Sequence, residues 1–235
     1  MEPQISLWQV PPSRLHLPHK ELHLWRFKLD MTDEQADGFR DILVAEELSR
    51  ADRLRDRQKK NQFISARAHL RVILGEYLQV KPNQVQFQYN EFGKPSLSEQ
   101  HQSSLSFNLS HSVQWGVLAV AKQMDVGVDV ENIDIELRFS QLASSYFNDQ
   151  EKFSLGQYST IRKRRGFYRL WTRKEAQLKL LGAGFTISPR VNIQADVKAF
   201  QFRTFPITDS YICSVASKEV ERIKKFHFLD LRSYL

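Results

Sequence analysis

The sequence predicts an α+β fold in which most strands pair antiparallel. Three observations carry that reading. Two segments, Phe63 to Tyr77 and about Ile161 to Leu181, place apolar residues at helical spacing. Several short segments alternate apolar and polar residues with period two. Helices and strands are partly segregated, yet each half of the chain holds both.

In chain order, residues 1–20 are rich in proline (Pro3, Pro11, Pro12, Pro18) and read as an extended lead-in. His23, Trp25 and Phe27 alternate with Leu24, Arg26 and Lys28, predicting a strand. Thr32 followed by Gln35 is a capping box that opens a helix through about Leu48. A basic stretch, Arg50 to Lys60, leads into a helix carrying Phe63, Ala66, Leu70, Ile73, Leu74 and Tyr77, which Lys81-Pro82-Asn83 breaks. Val85, Phe87 and Tyr89 predict a strand before a turn over Asn90 to Pro95. Further strands follow at Leu105 to Leu109, around Val117 and Ala119, and at Val126 to Val130. A helix near Ser140 to Phe147 precedes the longer one, which Gly182-Ala183-Gly184 stops. Strands near Phe200 to Phe205 and Tyr211 to Ala216 finish the chain.

The 235 residues are 41% hydrophobic, enough for a sizeable core, and 26% charged, which argues against disorder. The best apolar run, Trp115 to Ala121, falls far short of the roughly 18 residues of a membrane helix. The N-terminus has no basic segment followed by an apolar one, so no secretory signal is expected. Cys213 is the only cysteine, which rules out an internal disulfide and thiolate zinc sites. A cytoplasmic location is the expectation. Lysine and arginine exceed aspartate and glutamate by 34 to 27, a net charge of +7. Such a chain attracts polyanions: nucleic acid, phosphorylated cofactors, anionic membrane or an acidic protein. Charge alone does not choose among them.

In Val126-Gly127-Val128-Asp129-Val130-Glu131 the valines share one strand face, and Gly127, Asp129 and Glu131 share the other. The two carboxylates lie roughly 6.5 to 7 Å apart at Cα and can converge on one hard cation with oxygen ligands. Gly127 leaves room for a ligand beside the backbone. A strand with one solvated face fits the same segment. On the long helix, Phe167, Leu170, Trp171, Leu178 and Leu181 form an apolar stripe with Lys174 in its middle and Glu175 at its edge; Lys179 lies one turn on. A solvated Glu175–Lys179 ion pair and a snorkelling Lys174 would explain this helix, and so would a catalytic edge.

Arg67 and Arg71 lie one helical turn apart, and Arg50 and Arg53 lie just upstream; arginine forks match phosphate oxygens, although a solvated basic face explains them equally well. Phe92-Gly93-Lys94-Pro95 brings backbone close to a ligand and follows it with a cation, or is a plain hairpin connection. Ser106-Phe107-Asn108-Leu109-Ser110-His111-Ser112 ends a strand with a run of donors able to bind an anion.

Taken in order, these segments resemble the 4′-phosphopantetheinyl transferases, specifically the larger Sfp type. The most specific matches are Gly127-Val-Asp-Val-Glu131 and Trp171-Thr-Arg-Lys-Glu-Ala-Gln-Leu-Lys179, against a family pattern of G-x-D-x-E and W-[ST]-x-K-E-[AS]-x-x-K. The resemblance covers roughly residues 48 to 185. It implies transfer of the phosphopantetheine arm of coenzyme A to a serine of an apo acyl or peptidyl carrier protein, releasing adenosine 3′,5′-bisphosphate. It also implies Mg²⁺ on Asp129, Glu131 and Glu175, with Glu175 accepting the serine proton and Lys179 stabilising the departing phosphate. Lys174 would position the helix or its ligands. Arg67, Asn108, Ser110 and His111 would contact coenzyme A, His111 at its 3′-phosphate. Gly93 and Lys94 would border the adenine, with Arg50 and Arg53 as further basic positions. The implied fold is two similar α+β halves in a pseudo-two-fold arrangement, residues 1–121 with the phosphate-binding groups and 122–235 with the metal site. A monomer is implied, with no nucleic-acid or membrane partner. The alternatives are a family member that binds coenzyme A without transfer, and a basic nucleic-acid-binding module. The second gives no reason for the three acids, which would repel phosphate unless a cation intervened.

Overall fold

The computed structural model describes residues 8–182, 199–218 and 222–231. Its elements are β1 (Glu21–Lys28), α1 (Asp33–Phe39), α2 (Ala45–Asp52), α3 (Arg57–Leu78), β2 (Phe87–Tyr89), β3 (Pro95–Leu97), β4 (Leu105–Ser112), β5 (Trp115–Lys122), β6 (Val126–Asn132), α4 (Phe139–Tyr146), α5 (Asp149–Gly156), α6 (Thr160–Leu181), β7 (Phe200–Thr208), β8 (Tyr211–Lys218) and β9 (Lys225–Asp230). The fold is mixed α+β, as the sequence predicts. No described helix is long and apolar enough to cross a membrane.

Two sheets lie face to face between two long helices. The first has order β4-β5-β1-β9 and the second β6-β8-β7, while β2 and β3 form a hairpin. Period-two alternation divides the apolar residues between layers. On β1, Trp25 and Phe27 turn toward Ala66, Leu70, Ile73 and Leu74 of α3. Leu22 and Leu24 turn the other way and pack with Val117 and Ala119 against Val126, Val128 and Val130 of β6. On the far side of the second sheet, Ala176 and Leu180 of α6 meet Ala216 of β8. The order of layers is therefore α3, first sheet, second sheet, α6.

Several expectations hold and others are corrected. The capping box forms, with Thr32 Oγ1 accepting from Gln35 N and Gln35 Oε1 accepting from Thr32 N. The helix it opens ends at Phe39, however. The chain passes through a short 3-10 turn, and α2 begins after the Val44 N–H finds Glu47 Oε2. Glu47 also takes Arg67 Nε and Arg71 Nε, each at 2.6 Å. That buried ion cluster ties α2 to α3, so the break lets one acid serve two helices. The helix α5 was absent from the sequence reading; it is capped by Asn148, whose side chain accepts from Glu151 N. The longer helix ends on Gly182 in the left-handed region at φ 67, and Ala183 and Gly184 lie outside the described residues. The strand β9 was also unanticipated. It runs parallel to β1, with His23 opposite His227, and returns the end of the chain to the first sheet. Gln9 in the lead-in bridges to Leu229.

Candidate active site

β6 is paired along one edge with β8. Beside β4 its backbone is satisfied differently, by side chains. Asn108 Oδ1 accepts from Val128 N at 2.8 Å, Ser110 Oγ from Val130 N at 3.3 Å, and Ser112 Oγ from Asn132 N at 3.1 Å. These three residues alternate along β4 with Phe107 and Leu109, whose side chains enter the α3 core. One strand thus packs with one face and stitches the two sheets together with the other.

The valines of β6 are buried between the sheets, which aims Gly127, Asp129 and Glu131 at α6. A Cβ on Gly127 would stand 2.0 Å from the Ala176 carbonyl oxygen and 2.5 Å from Leu180 N. The space that the sequence reading kept for a ligand is therefore filled by the backbone of α6. Contacts run in opposite order along the two elements: Gly127 meets Ala176 and Leu180, while Glu131 lies close to the Trp171 side chain. This antiparallel approach sets Glu175 facing the strand. Lys174, expected to position the helix, is buried and paired to Glu151 of α5 at 2.9 Å. The buried face of α6 is broader than its apolar stripe: Thr172, Lys174, Glu175 and Gln177 are buried, whereas Leu181 is 49% exposed.

Asp129, Glu131 and Glu175 are brought into one electrostatic neighbourhood. Burial pushes the Glu175 carboxyl up to about 8, and repulsion from Asp129 and Glu131 adds to it against Lys179 and Lys174. Glu131 is raised first by burial and then by Asp129, opposed by the Ser112 hydroxyl, Lys179 and Trp171. The Lys179 ammonium donates to Asp129 Oδ1 at 2.6 Å and to Ser110 Oγ at 2.8 Å. Ser110 in turn donates to the same Asp129 oxygen at 3.0 Å. Ser112 donates to Glu131 Oε2 at 3.0 Å.

Among the described residues, no three His, Cys, Asp or Glu side chains close on one point as metal ligands do. The ammonium of Lys179 stands against one Asp129 oxygen instead. The donor set nevertheless suits a hard cation, being carboxylate oxygen throughout. Asp129 Oδ2 is buried and makes no hydrogen bond, an acceptor with lone pairs to give.

Two clefts flank the acids. One of about 220 Å³ opens between Gly93, Lys94, Asn108 and Lys179. The other, about 460 Å³, borders Glu131, Ser112, Val113, Ile135 and Tyr168. The turn at Gly93, with φ 78, brings Lys94 to the end of α6, where its ammonium donates to the Leu180 carbonyl at 3.1 Å. Burial lowers the Lys94 pKa and Asp125 partly restores it. His111 sits between charges: desolvation first, then Lys179, depress its pKa while Asp129 raises it, although part of the residue is open to solvent.

Other expected anion-binding residues lie elsewhere or are engaged. Arg67 is anchored by Glu47 and by Tyr89 Oη at 3.1 Å, and Arg71 by Glu47 and the Val85 carbonyl. Arg50 is exposed with its guanidinium over the Phe63 ring, and Arg53 is exposed. The Ser110 proton is spent on Asp129, so a phosphate reaching that hydroxyl would have to displace this bond. The sequence reading placed Ser112 in a run of anion donors and did not pair it with Glu131. Its spacing of two from Ser110, matched to the spacing of Asp129 and Glu131, was the available signal.

A raised carboxylate also predicts how stability depends on pH. Between the ordinary value of 4.5 and about 8, the folded chain keeps a proton on Glu175 that the unfolded chain releases. This contribution to stability is therefore lost as pH rises through that window. With divalent cations chelated, the thermal midpoint should fall from about pH 6.5 to about pH 8; below that range His23 and His69, each lowered by burial to about 4, act in the opposite sense. Calorimetry of Glu175→Gln should show a flatter profile; an equally steep one would reject this carboxyl as the source.

Two family models cover most of the chain: the 4′-phosphopantetheinyl transferase superfamily over residues 125–226, and a 4′-phosphopantetheinyl transferase N-terminal region over 31–123. The chain is 36% identical over 187 residues to the 4′-phosphopantetheinyl transferase HetI of Nostoc sp., covering 79% of each chain. It is 31% identical over 186 residues to a putative 4′-phosphopantetheinyl transferase, slr0495, of Synechocystis sp., covering 79% of this chain and 68% of that one. It is also 23% identical over 158 residues to 4′-phosphopantetheinyl transferase Sfp of Bacillus subtilis, covering 67% and 68%. With its acids gathered between β6 and α6, and with relatives matched over most of their length, the chain belongs to the 4′-phosphopantetheinyl transferase family.

Proposed function

We propose that the protein is a Mg²⁺-dependent 4′-phosphopantetheinyl transferase that moves the arm of coenzyme A onto a serine of an apo acyl or peptidyl carrier protein. The observation that carries the reading is the placing of Asp129, Glu131 and Glu175 around Lys179, with an unpartnered Asp129 oxygen among them. In this reading residues 1–121 bring Asn108 to the cleft beside Lys179 and Ser110 and His111 close to Asp129, and residues 122–235 bring the three carboxylates.

In this reading the cleft beside Gly93, Lys94 and Lys179 takes coenzyme A, and the one bordering Glu131 receives the carrier. Asp129, Glu131 and Glu175 would hold Mg²⁺, which supplies charge neutralisation at the diphosphate. The serine oxygen forms a bond to the phosphorus bearing pantetheine, and the bond from that phosphorus to the adenosine bisphosphate oxygen breaks. Glu175 accepts the serine proton. Lys179 faces the developing charge on the leaving phosphate, and Ser110 keeps Lys179 and Asp129 in register. The net charge of +7 favours encounter with a polyanionic cofactor and an acidic carrier.

The test is mass analysis of a panel of apo carriers after reaction with coenzyme A and Mg²⁺. The expected result is addition of the arm at the carrier serine, abolished by chelation. Binding of coenzyme A with no carrier modified would overturn transfer and leave a coenzyme A-binding member of the family.

A further inference from the structure

We propose that Ser112 is a positioning residue for Glu131, its hydroxyl fixing the strand and the carboxylate together; the inference rests on the reading of Glu131 as a cation ligand. Ser112 is the last residue of β4. Its oxygen accepts from Asn132 N at 3.1 Å, and its proton goes to Glu131 Oε2 at 3.0 Å. A hydroxyl has one proton, so this carboxylate takes all that Ser112 can donate. Trp171 of α6 stands near Glu131 on the helix side. The hydroxyl bond from β4 is what fixes the carboxylate's direction.

The same device occurs two residues earlier. Ser110 accepts from Val130 N at 3.3 Å and donates to Asp129 at 3.0 Å. Hydroxyls at positions 110 and 112 therefore match carboxylates at 129 and 131, each serine also holding the backbone one residue beyond its acid. Asn108 shows that stitching alone does not require a serine: its amide oxygen takes the Val128 N–H. What Ser112 adds is a proton aimed at the acid. Hydrogen bonds of this kind orient ligating carboxylates, and their loss lowers metal affinity by about 10- to 100-fold.

The experiment is titration of the full chain, saturated with coenzyme A, with Mn²⁺ followed by the paramagnetic resonance of the free ion. Ser112→Ala should weaken Mn²⁺ binding by about tenfold or more. Ser112→Thr, which keeps the hydroxyl, should restore it, and coenzyme A affinity without metal should stay unchanged in both. Should the alanine variant fail to fold, Ser112→Cys supplies a similar shape with a weak donor and the same expected loss. Wild-type Mn²⁺ affinity in Ser112→Ala, or equal losses in the alanine and threonine variants, overturns the inference. Glu131→Gln separates the two levels. If it loses Mn²⁺ while Ser112→Ala does not, only the positioning role falls. If Glu131→Gln binds like wild type, or the unaltered chain binds no Mn²⁺, the ligand reading falls and the inference with it.

Discussion

Glu175→Gln should slow transfer of the phosphopantetheine arm by about 10²- to 10⁴-fold, the usual contribution of a positioned proton acceptor. The same variant should raise the thermal midpoint of the metal-free protein at pH 8. Both effects come from one placement. Burial, with Asp129 and Glu131 nearby, opposes ionisation of Glu175, so replacing it with a neutral isostere relieves the fold. It also removes the only group proposed to take the serine proton. A damaged fold would lower rate and stability together. Opposite signs in steady-state kinetics and calorimetry therefore separate chemistry from unfolding, and a rate near that of wild type would remove Glu175 from the mechanism.

Gly127→Ala should destabilise the protein by about 4 kcal/mol or more, at the exceptional end for one methyl group. Overpacking in cores usually costs about 1 to 3 kcal/mol because side chains shift. Here the obstacle is helix backbone: the new carbon would meet the Ala176 carbonyl at 2.0 Å and Leu180 Cα at 2.9 Å. Relief requires α6 to leave β6, which would carry Glu175 and Lys179 away from Asp129. Gly38→Ala is the control. It lies within α1 with nothing inside 4 Å of the added carbon, and removing a helical glycine should stabilise by roughly 0.5 to 1 kcal/mol. Urea unfolding of the two variants checks the contrast; a cost for Gly127→Ala comparable to ordinary overpacking would mean that the helix yields easily.

Local signals exposed most elements and both acidic motifs. The period of two in Val126 to Glu131 correctly separated the buried valines from the acids, and Gly182 marked the end of α6. What stayed hidden depends on residues far away in sequence. Glu47 looks like an ordinary surface acid until Arg67 and Arg71 reach it from another helix. Gly127 offers the same local pattern whether a ligand or a helix fills its space. The partner of β9 lies about two hundred positions earlier, and a parallel edge strand of six residues leaves only a short periodic trace. Ser110 resembles a free anion donor because its neighbours do not reveal that Asp129 already claims its proton.

The return of β9 also constrains the order of assembly during translation. Residues 225–230 are made after β6, β7, β8 and α6, yet they complete the sheet that β1 begins. A nascent chain emerging from the ribosome can form the α3 layer early, but its first sheet keeps an unpaired edge beside β1 until β9 is added. Such an edge is a template for pairing with a neighbouring chain. Emergence of β9 is therefore the step that removes this hazard, and the two sheets cannot mature strictly one after the other.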